Sequence, residues 1–137
     1  MSDKRKPRVL LVDDEAHVRL YVRTVVTSLG FEVIAEAGDG RQALELFAQH
    51  APDLILLDLN MPVMDGVTTL KALRQKSEEV AIVMLTSLAS LEVVEECLDL
   101  GADYHLRKDL PVSELRQELL EAWQAHVEDL QQGGDPA

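Results

Sequence analysis

The chain has 137 residues, of which 47% are hydrophobic, and carries a formal net charge of −12. This length suits one domain with a buried core, and the excess negative charge, which repels phosphate backbones, argues against a nucleic-acid partner. The single cysteine excludes a disulfide framework, and no apolar run reaches the roughly 18 residues of a membrane span, so we expect a soluble, cytoplasmic protein without a membrane partner.

The N-terminal half predicts two strand–helix units after a short basic terminus. Residues 1–6 lack the apolar segment of a signal peptide and are expected to be flexible. Strand RVLLV (8–12) precedes a helix with valines and leucines at helical spacing, which stops at Gly30, a typical C-terminal cap. Strand FEVIAEA (31–37) then leads through a Gly-Asp-Gly turn into a helix that ends before Pro52.

The C-terminal half predicts three further units and a tail. The strands are LILLD (54–58), AIVMLT (81–86) and DYHLR (103–107). Helices follow Asp65-Gly66, span about Ser90 to Leu100, and begin near Pro111. We place the domain at residues 7–127 and predict a frayed tail over residues 128–137, which end in QQGGDPA without an apolar period.

Apolar strands that alternate with helices are typical of a parallel sheet covered by helices on both faces. We therefore predict an α/β fold of the flavodoxin-like kind, a three-layer sandwich with a five-stranded parallel sheet in the order 2-1-3-4-5 and five helices. Ligands of such sheets bind beyond the carboxyl ends of the strands, near the point where the strand order reverses. That edge is where a functional site is expected.

Charged and hydroxyl side chains stand at this edge. The strands end, in chain order, in Asp13 and Asp14, in Asp58, in Thr86 and in Lys108. Carboxylates about 4 Å apart repel by roughly 4 kcal/mol per pair at an effective dielectric near 20, so a cation is expected between them. Mg²⁺ takes oxygen ligands and is held by carboxylates, which makes it the expected cofactor.

The same residues suit phosphoryl transfer. A carboxylate can act as a nucleophile and form an aspartyl-phosphate, and a transferring phosphoryl group needs cations and hydrogen-bond donors around its oxygens. We expect Asp58 to be the nucleophile, at the exposed end of its strand, with Mg²⁺ and Lys108 supplying positive charge and Thr86 donating from its hydroxyl.

Each residue taken singly also has a structural interpretation. Asp14 is a plausible N-cap of the first helix, Thr86 is an ordinary strand residue, and Lys108 is an ordinary solvated lysine. Asp58 has no helix to cap at the next residue. The joint pattern favours the site, because each residue falls at the same end of a different strand.

The chain resembles the receiver domain of bacterial two-component response regulators over about residues 7–126. The resemblance is carried by VDDE (12–15), LLDLNMPVMDG (56–66), Thr86-Ser87 and GADYHLRKD (101–109). It implies that a sensor histidine kinase or a phosphotransfer protein phosphorylates Asp58. It further implies that Mg²⁺ is held by Asp13, Asp14, Asp58 and the backbone carbonyl of Asn60, and that Thr86 and Lys108 contact the phosphoryl oxygens.

Receiver domains commonly place an aromatic switch residue three positions before the conserved lysine. Counting back from Lys108 gives His105, whereas Tyr104 is one position away and points to the other face of a strand. We therefore expect Thr86 and His105 to form the switch.

No output domain follows in the sequence, so we expect a stand-alone receiver that signals through its own surface. The apolar half of helix 4 is wider than the roughly 100° stripe that covers a sheet, and the apolar face of helix 5 is similarly broad. We predict an exposed output face of helix 4, strand 5 and helix 5, which binds a downstream target or a second copy of the chain. Its candidate residues are Val93, Cys97, Leu100 and Trp123.

The sequence thus predicts a phosphoacceptor switch that catalyses only its own phosphorylation and dephosphorylation. One alternative is a receiver-like interaction module that works without phosphate. Another is a haloacid-dehalogenase-type phosphatase, but that family has DxDxT at its nucleophile, whereas this chain has Asp58-Leu59-Asn60.

Overall fold

Strands and helices alternate along the chain, as the sequence predicts. The computed structural model describes residues 6–87 and 90–133. The elements within them are β1 (Arg8–Val12), α1 (Ala16–Ser28), β2 (Glu32–Ala37), α2 (Gly40–His50), β3 (Leu54–Asp58), α3 (Gly66–Lys76), β4 (Ala81–Thr86), α4 (Leu91–Asp99), β5 (Tyr104–Arg107) and α5 (Val112–Gly133). None of these helices is long and apolar enough to cross a bilayer.

The strands form one parallel sheet in the order β2-β1-β3-β4-β5, which confirms the predicted topology. Val12 lies opposite Leu57, and Asp58 lies opposite Leu85. The residues that follow β1 and the last residue of β3 therefore leave the sheet side by side at its carboxyl edge.

Two hydrophobic clusters hold the sheet between its helical layers. Alternate strand residues such as Leu11, Leu56 and Leu85 pack with α1 and α5, and their neighbours such as Leu57 and Met84 pack with α2, α3 and α4. Every residue of β3 and β4 is buried. This burial on both faces explains why the central strands are continuous apolar runs.

The cap of α1 contradicts one structural interpretation of the acidic pair. The N-cap residue is Glu15, and its side chain makes no capping hydrogen bond. Asp13 Oδ1 instead accepts a hydrogen bond from Glu15 N at 2.9 Å. Asp14 therefore does not cap α1, and its exposed side chain stays available at the sheet edge.

Helix α5 extends beyond the predicted domain end at residue 127. Residues 128–133 are helical, so the prediction that this part of the tail frays is wrong. The apolar spacing continues through Trp123, Val127 and Leu130, which line one cleft at the opposite end of the sheet, and the Trp123 ring stacks on His126 at 5.8 Å between centroids.

The predictions for both termini fall mostly outside the described residues, which exclude residues 1–5 and 134–137. Lys6 belongs to the predicted basic terminus and is described. Its Nζ donates a hydrogen bond to Leu29 O at 3.2 Å, so this residue contacts the end of α1.

Candidate functional site

Acidic side chains from two neighbouring strand ends meet at the carboxyl edge of the sheet. Asp13 and Asp14 follow β1, and Asp58 ends β3. One carboxylate oxygen of each lies within 4.8 Å of the others. Asp13 and Asp58 are both buried, at 2% exposure, whereas Asp14 is exposed. The predicted convergence of these three residues is thus present in the structure.

Asp58 is buried rather than exposed, which corrects the expectation from the sequence. The chain after β3 stays close to the sheet, since Leu59 N donates to Leu85 O at 3.1 Å. The loop then returns to the strand end, where Gly66 N donates to Leu59 O at 2.8 Å. The carboxylate itself is contacted by Lys108 Nζ and by the backbone N of Asn60.

Lys108 joins the site from the end of β5. Its backbone N donates to Thr86 O at 2.7 Å, which fixes it beside the end of β4. Its Nζ lies 2.9 Å from Asp58 Oδ1 and 2.7 Å from Asp13 Oδ2, and the side chain is 12% exposed. Burial disfavours the charged form, but the contacts with both carboxylates outweigh it and raise the pKa of Lys108. A merely solvated lysine is therefore excluded.

One carboxylate oxygen in this site lacks a hydrogen-bond partner among the described residues. Asp13 Oδ2 is fully buried and, despite its short ionic contact with Lys108, receives no hydrogen bond of acceptable geometry. Burying an anionic oxygen is costly unless positive charge is near it. The Lys108 ammonium contacts this oxygen but also contacts Asp58, so a second cation would stabilise the site. The three carboxylates supply the hard oxygen ligands that Mg²⁺ prefers, so the residues fit this ion.

The electrostatics of the site act most strongly on Asp58. Burial raises the pKa of its carboxyl to about 6, and the neighbouring charge of Asp13 acts in the same direction, while the hydrogen bond and charge of Lys108 oppose it. Asp58 Oδ1 also accepts a hydrogen bond from Asn60 N at 3.4 Å. The site therefore holds a carboxylate whose ionised form depends on nearby positive charge.

The predicted switch residues lie at the β4 and β5 ends. Thr86 is buried, and its Oγ1 donates to Leu106 O at 3.4 Å, which directs the hydroxyl towards β5. Tyr104 and Leu106 pack in the α1–α5 cluster. His105, between them, lies opposite Met84 of β4, which packs in the other cluster with α4, and it lines a surface cleft with Leu98 and Tyr104. Tyr104 and His105 thus point to opposite faces of the strand, as its alternation predicts.

The predicted output face needs a correction on α4. Cys97 is 2% exposed and packs in the cluster under α2, α3 and α4, so its predicted exposure is wrong. Val93 and Leu100 are partly buried against the same cluster, because residues at i, i+4 and i+7 form the core-facing stripe. The exposed apolar residues of α4 are instead Leu91, at 72%, and Leu98, at 43%. Trp123 of α5 is half-buried.

Arg19, in the first turn of α1, contacts the site although no pattern in the sequence marks it. Its Nη1 donates to the backbone O of Asp13 at 2.6 Å, and its Nε donates to Glu36 Oε1 at 3.1 Å. The only signal in the sequence is a basic residue on the helix directly after the acidic pair.

Comparison with known proteins identifies relatives with the same organisation. Residues 9–120 match the model of the response regulator receiver domain. Chemotaxis protein CheY of Bacillus subtilis is 39% identical over 95 residues, which cover 69% of this chain and 79% of CheY. Sporulation initiation phosphotransferase F of the same organism is 32% identical over 109 residues, which cover 80% of this chain and 87% of the relative.

A solved structure supports the same assignment. The chain matches the CheX–CheY–BeF3–Mg²⁺ complex of Borrelia burgdorferi with a TM-score of 0.83 and 29% identity, over 90% of this chain and 94% of that chain. The family match favours a receiver domain over the haloacid-dehalogenase alternative.

Proposed function

Because the chain belongs to the response regulator receiver domain family, we propose that it is a phosphoacceptor switch of a two-component or phosphorelay pathway, phosphorylated on Asp58. The observation that carries this proposal is the buried Asp58 carboxylate, with Lys108 Nζ 2.9 Å from Asp58 Oδ1 and 2.7 Å from Oδ2 of the equally buried Asp13. Such a site combines a nucleophile with fixed positive charge, which phosphoryl transfer requires.

Asp13, Asp14 and Asp58 would hold Mg²⁺ through their carboxylates. The resemblance to receiver domains adds the backbone carbonyl of Asn60 as a further ligand. When bound, the ion supplies the positive charge that keeps Asp58 ionised and neutralises the phosphoryl oxygens. That the CheY complex of Borrelia burgdorferi contains Mg²⁺ and BeF3 supports this assignment for a relative.

The reaction forms one bond and breaks another. A carboxylate oxygen of Asp58 attacks the phosphorus of a phosphohistidine on a sensor kinase or a phosphotransfer protein. The bond between phosphorus and the imidazole nitrogen breaks, and the electron pair stays on the imidazole, which takes up a proton from solvent. Lys108 and Thr86 would donate to the phosphoryl oxygens. The protein would thereby catalyse its own phosphorylation and later hydrolysis, without an external substrate.

The switch would begin at Thr86. Its hydroxyl now donates to Leu106 O at 3.4 Å, so contact with a phosphoryl group on Asp58 requires it to turn away from β5. His105 lies on the α4 face of the same strand, where it would respond to this movement. The alternative of an interaction module that needs no phosphate makes no use of the buried carboxylates.

The phosphorylation reaction tests the proposed function directly. We expect the protein to gain the mass of one phosphoryl group with acetyl phosphate and Mg²⁺, and none when EDTA removes the metal, as measured by intact mass spectrometry. Asp58→Asn is expected to gain none. Asp65→Asn is the matched control, since Asp65 lies in the same loop but only caps α3. An unmodified wild type, or a modified Asp58→Asn variant, would contradict the proposal.

The output surface is proposed to be α4, β5 and α5, centred on Leu91 and Leu98. Burying one leucine at an interface contributes about 1.5 kcal/mol or more, which is about tenfold in a dissociation constant. If a second copy binds here, Leu91→Gln and Leu98→Gln should each weaken self-association of the phosphorylated protein about tenfold, as measured by sedimentation equilibrium.

Leu20→Gln supplies the control for this surface, because Leu20 is 64% exposed but lies on α1. Equal weakening by this control would show that general surface hydrophobicity is responsible. Identical self-association of all variants would exclude a dimer through the proposed face.

A further inference from the structure

Nearly every polar atom of Asp13 makes a hydrogen bond within the protein. Its N donates to Ala37 O at 3.0 Å, and its Oδ1 accepts from Glu15 N at 2.9 Å. Its backbone O accepts from Arg19 Nη1 at 2.6 Å. Only Oδ2 has no hydrogen bond from the described residues, and this oxygen faces Lys108 and Asp58. The orientation of this oxygen therefore depends on its ionic contact with Lys108 and on the hydrogen bonds that fix the rest of the residue.

The Arg19 contact is the only one of these that a side chain from another element supplies. It binds the carbonyl of the peptide group that joins Asp13 to Asp14, the two acidic residues of the β1–α1 loop. Because the peptide group is planar, holding this carbonyl restricts the rotation of the peptide plane that links the two acidic residues. A bond from a charged donor at this distance is stronger than a neutral one.

Arg19 is itself held in place from β2. Its Nε donates to Glu36 Oε1 at 3.1 Å, and the Arg19 side chain is 23% exposed. The guanidinium thus bridges the last part of β2 and the acidic loop with two nitrogens in a rigid plane. Arg23, one turn further along α1, also binds Glu36, at 3.2 Å, but its side chain is 57% exposed, and it makes neither a hydrogen bond nor an ion pair with Asp13.

We propose that Arg19 is a positioning residue for the metal site, which orients Asp13 and Asp14 towards Mg²⁺ by holding the peptide group between them. This inference rests on the proposed function. It concerns the ligand geometry of the site, since Arg19 acts through the backbone of Asp13 and touches neither the phosphoryl group nor Asp58. Groups that orient metal ligands typically contribute about 10–100-fold to metal affinity.

The sign of the effect separates positioning from simple electrostatics. Arg19 is positively charged, so removing its charge near an acidic site by itself strengthens Mg²⁺ binding. A positioning role predicts the opposite, because the ligands lose their orientation. We expect Arg19→Met to raise the Mg²⁺ dissociation constant about tenfold, measured by isothermal titration calorimetry on the unphosphorylated protein.

Two further variants complete the experiment. Arg23→Met removes the other arginine that binds Glu36 and should leave Mg²⁺ affinity unchanged or slightly increased. Arg19→Lys keeps the positive charge but has only one nitrogen for two acceptors. Its affinity for Mg²⁺ should therefore lie between that of the wild type and that of Arg19→Met. Urea unfolding without Mg²⁺ shows whether both variants fold. The midpoint should shift more for Arg19→Met than for Arg23→Met, because Arg19→Met also loses the hydrogen bond to Asp13 O.

Equal or tighter Mg²⁺ binding by Arg19→Met, or equal weakening by Arg23→Met, would overturn the inference. If Arg19→Met does not fold, wild-type affinity in Arg19→Lys overturns it. A wild type that binds Mg²⁺ but takes no phosphoryl group counts against the proposed function and leaves this inference intact. If the wild type is phosphorylated and the Arg19 variants bind Mg²⁺ as tightly as the wild type, only this inference is contradicted.

Discussion

Asp58→Asn is expected to raise the free energy of unfolding in Mg²⁺-free buffer at pH 7. Two buried carboxylates, Asp13 and Asp58, share the ammonium group of Lys108. Burial raises the pKa of Asp58 from 3.8 to about 6. A shift of about 2 units corresponds to about 3 kcal/mol between the charged and neutral forms, and asparagine resembles the neutral form. We therefore expect a gain of about 2–3 kcal/mol.

The pH dependence of this gain has a defined direction. Because the pKa of Asp58 is raised in the folded state, its ionisation favours unfolding as the pH rises from about 4 to about 6. The difference between variant and wild type should be close to zero below that window and constant above it. Urea unfolding at a series of pH values measures this difference.

Asp65→Asn is the control for the stability measurement, because hydrogen bonds from Thr68 lower the pKa of Asp65, so its ionisation does not oppose folding. Asparagine also caps helices about as well as aspartate, so this variant should show no gain. Added Mg²⁺ should stabilise the wild type and reduce its difference from Asp58→Asn. A less stable Asp58→Asn variant in metal-free buffer would contradict the account of the site.

Gly66→Ala is expected to lower the free energy of unfolding by about 1–3 kcal/mol, or more if the loop cannot yield. A Cβ at this position meets the carbonyl oxygen of Asp58, and lies 2.7 Å from Leu59 Cα and 2.9 Å from Leu59 O. All of these are backbone atoms, so no flexible side chain can move aside. The displaced strand end carries Asp58, and phosphorylation by acetyl phosphate should therefore slow as well.

Gly38→Ala is the matched control for the glycine experiment. The nearest atoms to its Cβ are Arg19 Nη1 at 3.8 Å and Gln42 Oε1 at 3.9 Å, which is ordinary contact. Thermal and urea unfolding should leave this variant close to wild type. A Gly66→Ala variant that matches it in stability and in phosphorylation rate would show that the loop has room for a side chain.

The element pattern and the site residues were predictable because their signals are local. Periodicity within each segment predicts strands and helices, and both faces of a parallel sheet need apolar strands. Each predicted site residue stands at the end of a predicted strand or just after it: Asp13, Asp14, Asp58, Thr86 and Lys108. Since parallel strands share one carboxyl edge, their convergence follows from the chain order once β1 and β3 are neighbours.

Surface and burial predictions failed where the answer depended on distant contacts. The apolar half of α4 is wider than the sheet can cover, and the sequence does not state which part packs inward. The structure places Cys97 in the core, where burial raises the pKa of its thiol, and leaves Leu98 exposed. The length of α5 was underestimated because its last turns pack beside the far end of the sheet.

The sequence by itself determined which functional groups lie at which strand ends, because the order of the strands and the residues that follow them can be read directly from the chain. Only the tertiary structure decided that Asp58 is buried beside Lys108, and that Arg19 holds the backbone of Asp13. The physical reason is that both depend on contacts between segments. Every residue has a backbone oxygen, so the sequence does not show which one a distant arginine contacts. It also does not show how deeply a strand end is buried by side chains from other strands.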